Sequence, residues 1–547
     1  MDQRAFVDLA VIALLVTSVW AFPPPAGSLA TIVGPTIQSS TRDPILIEGD
    51  AGFTAANGVV GGSGTSLDPF VIEGWEIHAG PRNGIEIRNT TDAFLIRAVR
   101  VRDADYDRLG VYLLNVTGAR LDNSSISSNN WAGVVIERSR SVLVETSYFS
   151  RNSGAGVLLV ETVDALVRDN VFSGNTGGGL GLGQSDQVSV INNVFHRNYL
   201  GGVFWAGSTG LSGSGRDTTI YANGFTANGE DIDLVEPSNI AVTFNKVDGT
   251  NGPGGTGFFF RWARNASIVA NNVSTHAGGG FSFWYSSNVT LRQNRIQDNN
   301  AWGVYLFSST AFLLHDNDFV ANWQQVRIDE SLGLAWNRSY PLGGNHWSDY
   351  TGSDACGGAA QDACTGPDGF GDTPYAVNST NEDWYPLMAR RGLPGVPPVA
   401  SLIPEPMVGN VTTDFESNAS FSWDLNDPSS RLEFRWDWEL DGTWDTDWGA
   451  KSVGVHRYNL PGVYFVQVQV RNSENLTDVV SALVVVTTAE AGAGPDSSVA
   501  AIVVAAVVAT VSIAVGSIFF VIRRRRRRSP PPGLDDIDGG KSSHRRS

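Results

Sequence analysis

A block of 23 residues recurs down this chain, and few folds tolerate such a period. Ile126, Asn129, Gly133 and Ile136 set a pattern that returns as Phe149, Asn152, Gly156 and Leu159. It returns again as Phe172, Asn175, Gly179 and Leu182, then as Phe195, Asn198, Gly202 and Trp205. Further copies begin near Phe225, Val247, Val273, Ile296 and Phe319, with looser ones near Ile77 and Val101, about eleven coils in all. The Gly- and Ser-rich stretch 206–215 and a short insertion before Gly257 absorb the two longer spacings. Each copy holds short apolar alternations broken by Asn and Gly. Alternation at period two means strand, and a helix would not survive such breaks. Several short strands per 20–30 residues predict a parallel β-solenoid whose coils bury their apolar faces only by stacking. Leucine-rich repeats need a leucine frame that is missing here, and propeller blades need a longer period.

Two columns should line up in such a stack. Asn170, Asn193, Asn223, Asn245, Asn271, Asn294 and Asn317 each stand two residues before the leading apolar residue. Asn tolerates left-handed backbone, and its amide can bond the same group above and below. Gly133, Gly156, Gly179, Gly202, Gly280 and Gly303 form the second column, where a tight bend with positive φ is expected. Both columns are read as architecture.

The ends carry a different message. Residues 498–522 are apolar and uncharged, long enough to span a bilayer, and Arg523 to Arg528 follow at once. The positive-inside rule keeps residues 523–547 in the cytoplasm and sends the rest out. At the start, Arg4 precedes an apolar run that ends near Phe22, a secretory signal over 1–21, with an uncleaved anchor as the alternative. The basic tail holds nine basic and three acidic groups, which leaves 29 basic against 53 acidic groups, a balance of −24, in the other 522 residues. Such a body repels phosphates, so nucleic acid is excluded as a partner. Export agrees with glycosylation acceptors at Asn89, Asn115, Asn123, Asn265, Asn272, Asn288, Asn337, Asn378, Asn410, Asn418 and Asn475.

The repeats resemble the NosD-type periplasmic copper-binding and carbohydrate-binding/sugar-hydrolase right-handed parallel β-helix proteins, in the form common on archaeal surfaces. The opening Asn57-Gly-Val-Val-Gly-Gly-Ser-Gly-Thr65, followed by Asp68 to Gly74, carries the likeness. So do Gly344 to Asp354, Asp368 to Tyr375 and Asp383 to Leu387 at the far end. The resemblance covers about residues 45–390. It implies an opening and cap over 22–76, repeats over 77–330 and a C-terminal cap over 331–392. A Pro-rich joint then leads to residues 396–488, where Arg435 to Thr446 and the alternating strand Gly462 to Val470 resemble a polycystic-kidney-disease (PKD) domain, an immunoglobulin-like β-sandwich. Residues 489–497 are left as a stalk. The expected fold is therefore all-β, with one C-terminal membrane helix.

Copper needs His, Cys or Met brought together. Here the seven histidines are scattered, and Cys356 and Cys364 sit close together in an exported chain, which favours a local disulfide over a metal pair. Calcium fits better. Asp349, Asp354, Asp368 and Asp372 surround Gly369 and Gly371, hard oxygen ligands on a Gly-rich turn, although the spacing is not that of an EF-hand. The alternative is a stapled loop with solvated acids. Asp437, Asp441 and Asp445 raise the same question.

Sugar recognition is the third chemistry. If residues two after each coil glycine point outward, Tyr112, Phe204, Phe259 and Tyr305 share one face, and Trp284 and Phe307 join it two places further on. Flat aromatics there suit sugar rings, unless the 206–215 loop or the 331–390 segment covers them. Cleavage would need paired acids. Asp103 with Asp105, Asp231 with Asp233, and Asp316 with Asp318 are candidates expected to point the same way, but none recurs on adjacent coils and no basic partner is expected near any of them. No catalytic residue is assigned. The expected function is a membrane-anchored surface protein that binds glycans or surface-layer components. A tethered polysaccharide hydrolase, lyase or epimerase is the rival, and an envelope spacer the third reading.

Overall fold

The computed structural model of the chain describes residues 40–205, 213–249, 255–392, 395–406 and 408–487. The expected signal 1–21, stalk 489–497, span 498–522 and basic tail 523–547 lie outside the described residues. Among the described residues no helix is long and apolar enough to cross a membrane. The β-helix and two smaller sheets fall in one compact unit, Gln38–Leu460 with Tyr464–Thr487.

Each coil contributes three strands. In one coil they are Ala155–Val160, Val163–Arg168 and Val171–Ser173. They feed a first sheet of 12 strands, a second of 13 and a third of 13, about eleven complete coils. Val157 pairs in parallel with Leu180, Leu166 with Ser189 and Phe172 with Phe195. Parallel pairing begins at Ser40 and reaches Trp347, beyond the 77–330 expected. The alternation in Ile45–Glu48 buries Ile45 and Ile47 in the same core, which explains the earlier start.

The core is a column of identical contacts. Phe149, Phe172, Phe195 and Phe225 stack with ring centroids 5.0, 4.8 and 4.8 Å apart. Each fully buried ring is worth about 1.5–3 kcal/mol of transfer free energy, and the stacking geometry adds to it. The polar corners repeat as strictly. Each Asn Nδ2 donates to the Oδ1 of the next Asn, from Asn170 to Asn193 at 3.0 Å and onward to Asn317 and Asn345 at 2.9 Å. A second ladder runs through Asn129, Asn152, Asn175, Asn198 and Asn228. The same amides satisfy buried backbone groups at the bends: Asn193 Oδ1 also accepts the Asn170 backbone N–H, and Asn170 Nδ2 also donates to the Val144 carbonyl.

Two sequence expectations need correction. The left-handed residues at the first Asn corner are those just before each Asn, such as Asp169 at φ 56 and Asn192 at φ 53, and the ladder Asn residues are not among them. The column glycines do not have positive φ either. They are required because the next coil is too close: a Cβ on Gly133 would lie 2.6 Å from the Gly156 carbonyl oxygen, and one on Gly179 2.6 Å from that of Gly202.

The 331–392 segment closes the C-terminal end. Trp347 stacks on Phe319 at 4.4 Å and Tyr375 on Trp347 at 4.2 Å. Cys356 and Cys364 form the expected disulfide. Beyond it, a three-stranded sheet (Ile403–Glu405, Phe415–Asn418, Val453–His456) and a four-stranded sheet (Val408–Asn410, Thr477–Thr487, Gly462–Arg471, Glu433–Asp437) share a core that includes Trp436, Tyr458 and Val468. Trp423 and Leu425 of this region pack with Val269 and Ala270, on the corner between the second and third sheets. The outer face of the first sheet is on another side of the coil.

Candidate functional site

On that outer face the register sets one column: Tyr112, Val135, Leu158, Gly181, Phe204, Asp233, Phe259, Ser282, Tyr305 and Arg327. Two residues further along, Arg261, Trp284, Phe307 and Asp329 form a second. The six aromatic residues singled out from sequence therefore share the face, but they divide into three environments.

Tyr112 and Phe204 pack against a small apolar patch of Leu109, Ala132, Val135, Ala155 and Leu158. Phe204 lies flat over Gly178 and Gly181, which have no side chain to hold it off. The Tyr112 hydroxyl donates to Glu137 at 2.9 Å, and burial pushes its pKa up to about 12. Tyr305 is 8% exposed beneath Trp302 and the Arg327 guanidinium, and its hydroxyl donates to Asp329. Tyr305 is closed over by its neighbours, while Tyr112 and Phe204 are half-buried on the patch. Phe259, Trp284 and Phe307 meet edge to face at 5.1 and 5.6 Å and stay partly open.

Two rings at the edge of this face, more exposed than these six, were not singled out from sequence. Trp262 and Tyr285 stack at 5.6 Å with 13° between planes and are 44% and 46% exposed. They occupy the left-handed residue that follows each first-sheet strand, at φ 56 and 55. Other coils place Arg138, Glu161, Gln184, Glu236, Ser308 and Glu330 at that position. A bulky aromatic at positive φ is unfavourable, and strain of this kind collects where function requires it. The signal was in the sequence, as two aromatic residues on successive coils at a position otherwise polar.

Beside this shelf sits a polar cluster. Asp233 accepts from Arg261 Nη2 with both carboxylate oxygens, each at 2.7 Å. Arg261 also lies 4.9 Å from the Phe259 ring and 6.0 Å from that of Trp205. Glu230 shares a side-chain hydrogen bond with Asp233. Burial, then the Asp233 charge, pushes the Glu230 carboxyl up to about 7. Within this hydrogen bond Glu230 is the donor, its burial and the Asp233 charge favouring the protonated form. Arg261 Nε, Trp205 Nε1, Trp284 Nε1 and Trp302 Nε1 have no hydrogen-bond partner in the protein.

The acid pairs behave differently from expectation. Asp231 and Asp233 do not point the same way. Asp231 takes the place of a column glycine at the corner, and its buried side chain turns to Asn228 and His276, while Asp233 faces out. Asp316 sits in a turn and Asp318 opens the next strand. Basic partners are also present: Asp103 has Arg102 and His78, Asp233 has Arg261, and Asp316 has Arg391 and His315. Arg102 and His315 are chain neighbours of their acids, whereas His78, Arg261 and Arg391 come from other coils or from the cap, which linear spacing does not show.

The four acids of the expected calcium loop are spent on the loop itself. Asp354 accepts the amides of Asp368 and Gly369, and Asp368 those of Gly358 and Phe370. The amides of Ala355 and Cys356 hold the Asp372 carboxyl below its usual range. Asp349 accepts from Gln325 and Tyr375. Among the described residues the acids whose oxygens converge, within 4.8 Å, are Asp437, Glu439 and Asp445. Burial, then the nearby acids, pushes Glu439 up to about 7, and Asp441 turns to the Thr443 amide. Of the glycosylation acceptors, Asn115 donates its amide nitrogen to Asn89 at the end of the first-sheet strands, and Asn265 and Asn288 donate theirs to Asn239 and Asn265 in the second sheet.

These features define a right-handed parallel β-helix protein. The repeats are of NosD-like type. The family described as right handed beta helix region matches residues 57–214, and that described as periplasmic copper-binding protein (NosD) matches residues 207–352. No curated protein matches by sequence. Solved structures with similar folds include a mannuronic acid specific polysaccharide family 6 lyase from human gut microbiota, at 13% identity and TM-score 0.40, covering 56% of this chain and 80% of that one. Bacteriophage CBA120 tailspike protein 3 matches at 11% identity and TM-score 0.33, over 48% of this chain and 50% of that one. A structure of carbohydrate-binding modules from the β-sandwich superfamily matches at 22% identity and TM-score 0.16, over 18% of this chain and 37% of that one. The chain thus spans half or less of the length of these last two, and identities this low speak to fold alone.

The donor set does not fit the copper in that family description. Among the described residues, His78, His276, His315, His346 and His456 each face a different acid: Asp103, Asp231, Asp316, Asp318 and Glu439. Both cysteines are in the disulfide, so no soft ligand set forms.

Proposed function

We propose that this protein is a surface-held, non-catalytic carbohydrate-binding protein, and that the outer face of the first sheet between Phe204 and Asp329 is its binding face. The observation that carries the reading is the stacked, half-exposed Trp262–Tyr285 pair at a position where other coils are polar. Aromatic rings with open faces beside a compact set of donors and acceptors suit sugars, which present apolar ring faces and a rim of hydroxyls. The five coils from Phe204 to Tyr305 give a shelf about 20 Å long at roughly 4.8 Å per strand, enough for an extended polymer.

Binding is favoured over cleavage because Glu230 and Asp233 share a hydrogen bond. Glycosidases hold their two carboxyls about 5 Å or more apart, with the bond to be cleaved between them. The finer assignments belong to the same proposal. Residues 396–488 are a PKD-like spacer, 498–522 anchor the chain to the membrane, 1–21 export it, and the ectodomain faces outward among glycans or surface-layer components, as expected for an archaeal-type member of this group. Calcium as a ligand of the chain belongs to the same proposal, and the assay varies it.

The test is titration of the full chain against a panel of polysaccharides, with and without Ca²⁺, with products followed for reducing or unsaturated ends. Binding without products is expected, with affinity falling about tenfold on Trp262→Ala or Tyr285→Ala, equivalent to about 1.4 kcal/mol. Release of new ends would move the protein to the hydrolase or lyase class. Absence of binding to any glycan would leave the spacer reading.

A further inference from the structure

The polar cluster beside the aromatic shelf says which sugars fit. Two guanidinium groups stand on this face between Phe204 and Asp329, and both are already matched. Arg261 gives both of its short contacts to Asp233, and Arg327 reaches Asp329 at 2.9 Å through Nε and a terminal nitrogen. An arriving carboxylate or sulfate would find neither cation unpaired. It would meet the Asp233 and Asp329 charges at close range, with Glu236 and Glu330 at the edge, in a chain of formal charge −18. To bind, it would have to break an internal ion pair and leave an acid unmatched on a partly buried surface.

A neutral sugar faces no such cost. The oxygens of Glu230 and Asp233 keep lone pairs that accept from hydroxyls, while the Arg261 charge stays matched by Asp233. Hydroxyls can donate to these oxygens without any net charge on the ligand.

We propose that Glu230, Asp233 and Arg261, with the Trp262–Tyr285 shelf, form a subsite that selects neutral, hydroxyl-rich glycans and rejects uronate- or sulfate-bearing ones. The inference rests on the carbohydrate-binding reading above and deepens it. Selectivity here comes from the internal pairing of the arginines, so the acids that pair them act as a charge filter.

The experiment measures affinity of the full chain, at low and moderate salt, for a neutral β-glucan, a neutral mannan, alginate and polygalacturonate of matched length. The neutral polymers are expected to bind at least tenfold more tightly. Asp233→Asn and, separately, Asp329→Asn each free one guanidinium and are expected to shift the neutral-to-uronate ratio at least tenfold toward uronate, with folding checked by thermal melting. Tighter binding of alginate or polygalacturonate by the unaltered chain would overturn the charge filter while leaving carbohydrate binding in place. Failure of every glycan to bind would overturn the carbohydrate reading itself. The ratio in the unaltered chain decides the matter even if a variant does not fold.

Discussion

Asp231 and His276 meet 2.8 Å apart inside the wall of the β-helix, although 45 residues separate them. They repair the second Asn ladder. Asn228 donates to Asp231, Asp231 meets His276 Nε2, and His276 Nδ1 faces Asn299 Oδ1 at 3.2 Å. That Oδ1 only accepts, so Nδ1 carries a hydrogen and the remaining proton lies between Nε2 and the carboxyl. Both residues are buried, at 2% and 3% exposure. Replacing His276 by Ala strands Asp231 and the Asn299 carbonyl, and a loss of about 2–4 kcal/mol is expected from unsatisfied buried polar groups. The double variant Asp231→Gly with His276→Asn brings back the residue types of the regular coils and should recover part of the loss. Denaturant midpoints of the two singles and the double measure the coupling; simple additivity would disprove it.

Glu230 ties stability to pH. Its carboxyl sits at about 7 in the folded chain against an ordinary value of 4.5, because burial and the Asp233 charge disfavour ionisation. The folded state therefore holds a proton that the unfolded state releases. The stabilisation is full below about 4.5 and is lost as pH rises through about 7, on the order of 2–3 kcal/mol. Glu230→Gln keeps the donor and removes the titration. Its melting temperature should exceed that of the unaltered chain at pH 8 and converge with it near pH 4. Parallel curves at all pH values would refute the assignment.

The column glycines and Gly224, which opens a third-sheet strand, should part company under the same substitution. Gly179→Ala forces a Cβ to 2.6 Å from both the Gly202 carbonyl oxygen and the Phe195 ring, with coils on either side preventing retreat. Overpacking of this kind costs about 1–3 kcal/mol or more. Gly224→Ala meets nothing within 4 Å and its φ is not positive, so a neutral or slightly stabilising effect, about 0.4–1 kcal/mol, is expected. Thermal melts of the two variants give a direct comparison, and equal losses would show that backbone conformation, not proximity, selects these glycines.

The solenoid was legible because its period repeats one physical problem, how to bury a face and satisfy two bends, and the same residues solve it on every coil. The reasons for the residues were less legible. Gly133 and Gly179 look like bend glycines along the chain, but the contact that demands them is with a coil 23 residues away. Asp231 and Asp233 look like one alternating pair, yet Asp231 lies on a corner, where alternation does not hold. Asp354, Asp368 and Asp372 look like oxygen ligands along the chain, and the loop amides that each also accepts are not visible there. The binding face was half visible. Phe259, Trp284 and Phe307 follow from the alternation, whereas Trp262 and Tyr285 occupy a turn outside any strand pattern. Arg261 becomes a partner of Asp233 only once the coils are stacked.

The far end of the solenoid depends on one acid. Asp383 is fully buried and accepts the Asn345 amide at 2.7 Å, Trp347 Nε1 at 2.9 Å and the Tyr385 amide at 3.2 Å. It thereby joins the segment from Asp383 to Leu387 to the segment from Gly344 onward, and a Cβ on Gly344 would run into its carboxylate. Through Asn345 the same acid terminates the first Asn ladder, since Asn317 donates to Asn345 Oδ1. Asp383→Ala removes three acceptor contacts at once and leaves their donors buried, at about 1–3 kcal/mol each. Because neighbouring coils contact mainly each other, the damage should stay local. Hydrogen exchange is expected to rise across 336–387 and in the last coil, while amides near Phe149 and Phe172 keep their protection. Gly344→Ala should reproduce that pattern by pushing the carboxylate away. A uniform rise along the whole β-helix would mean that the cap nucleates the stack, and unchanged exchange at Asn345 and Trp347 would mean that Asp383 is not what holds it.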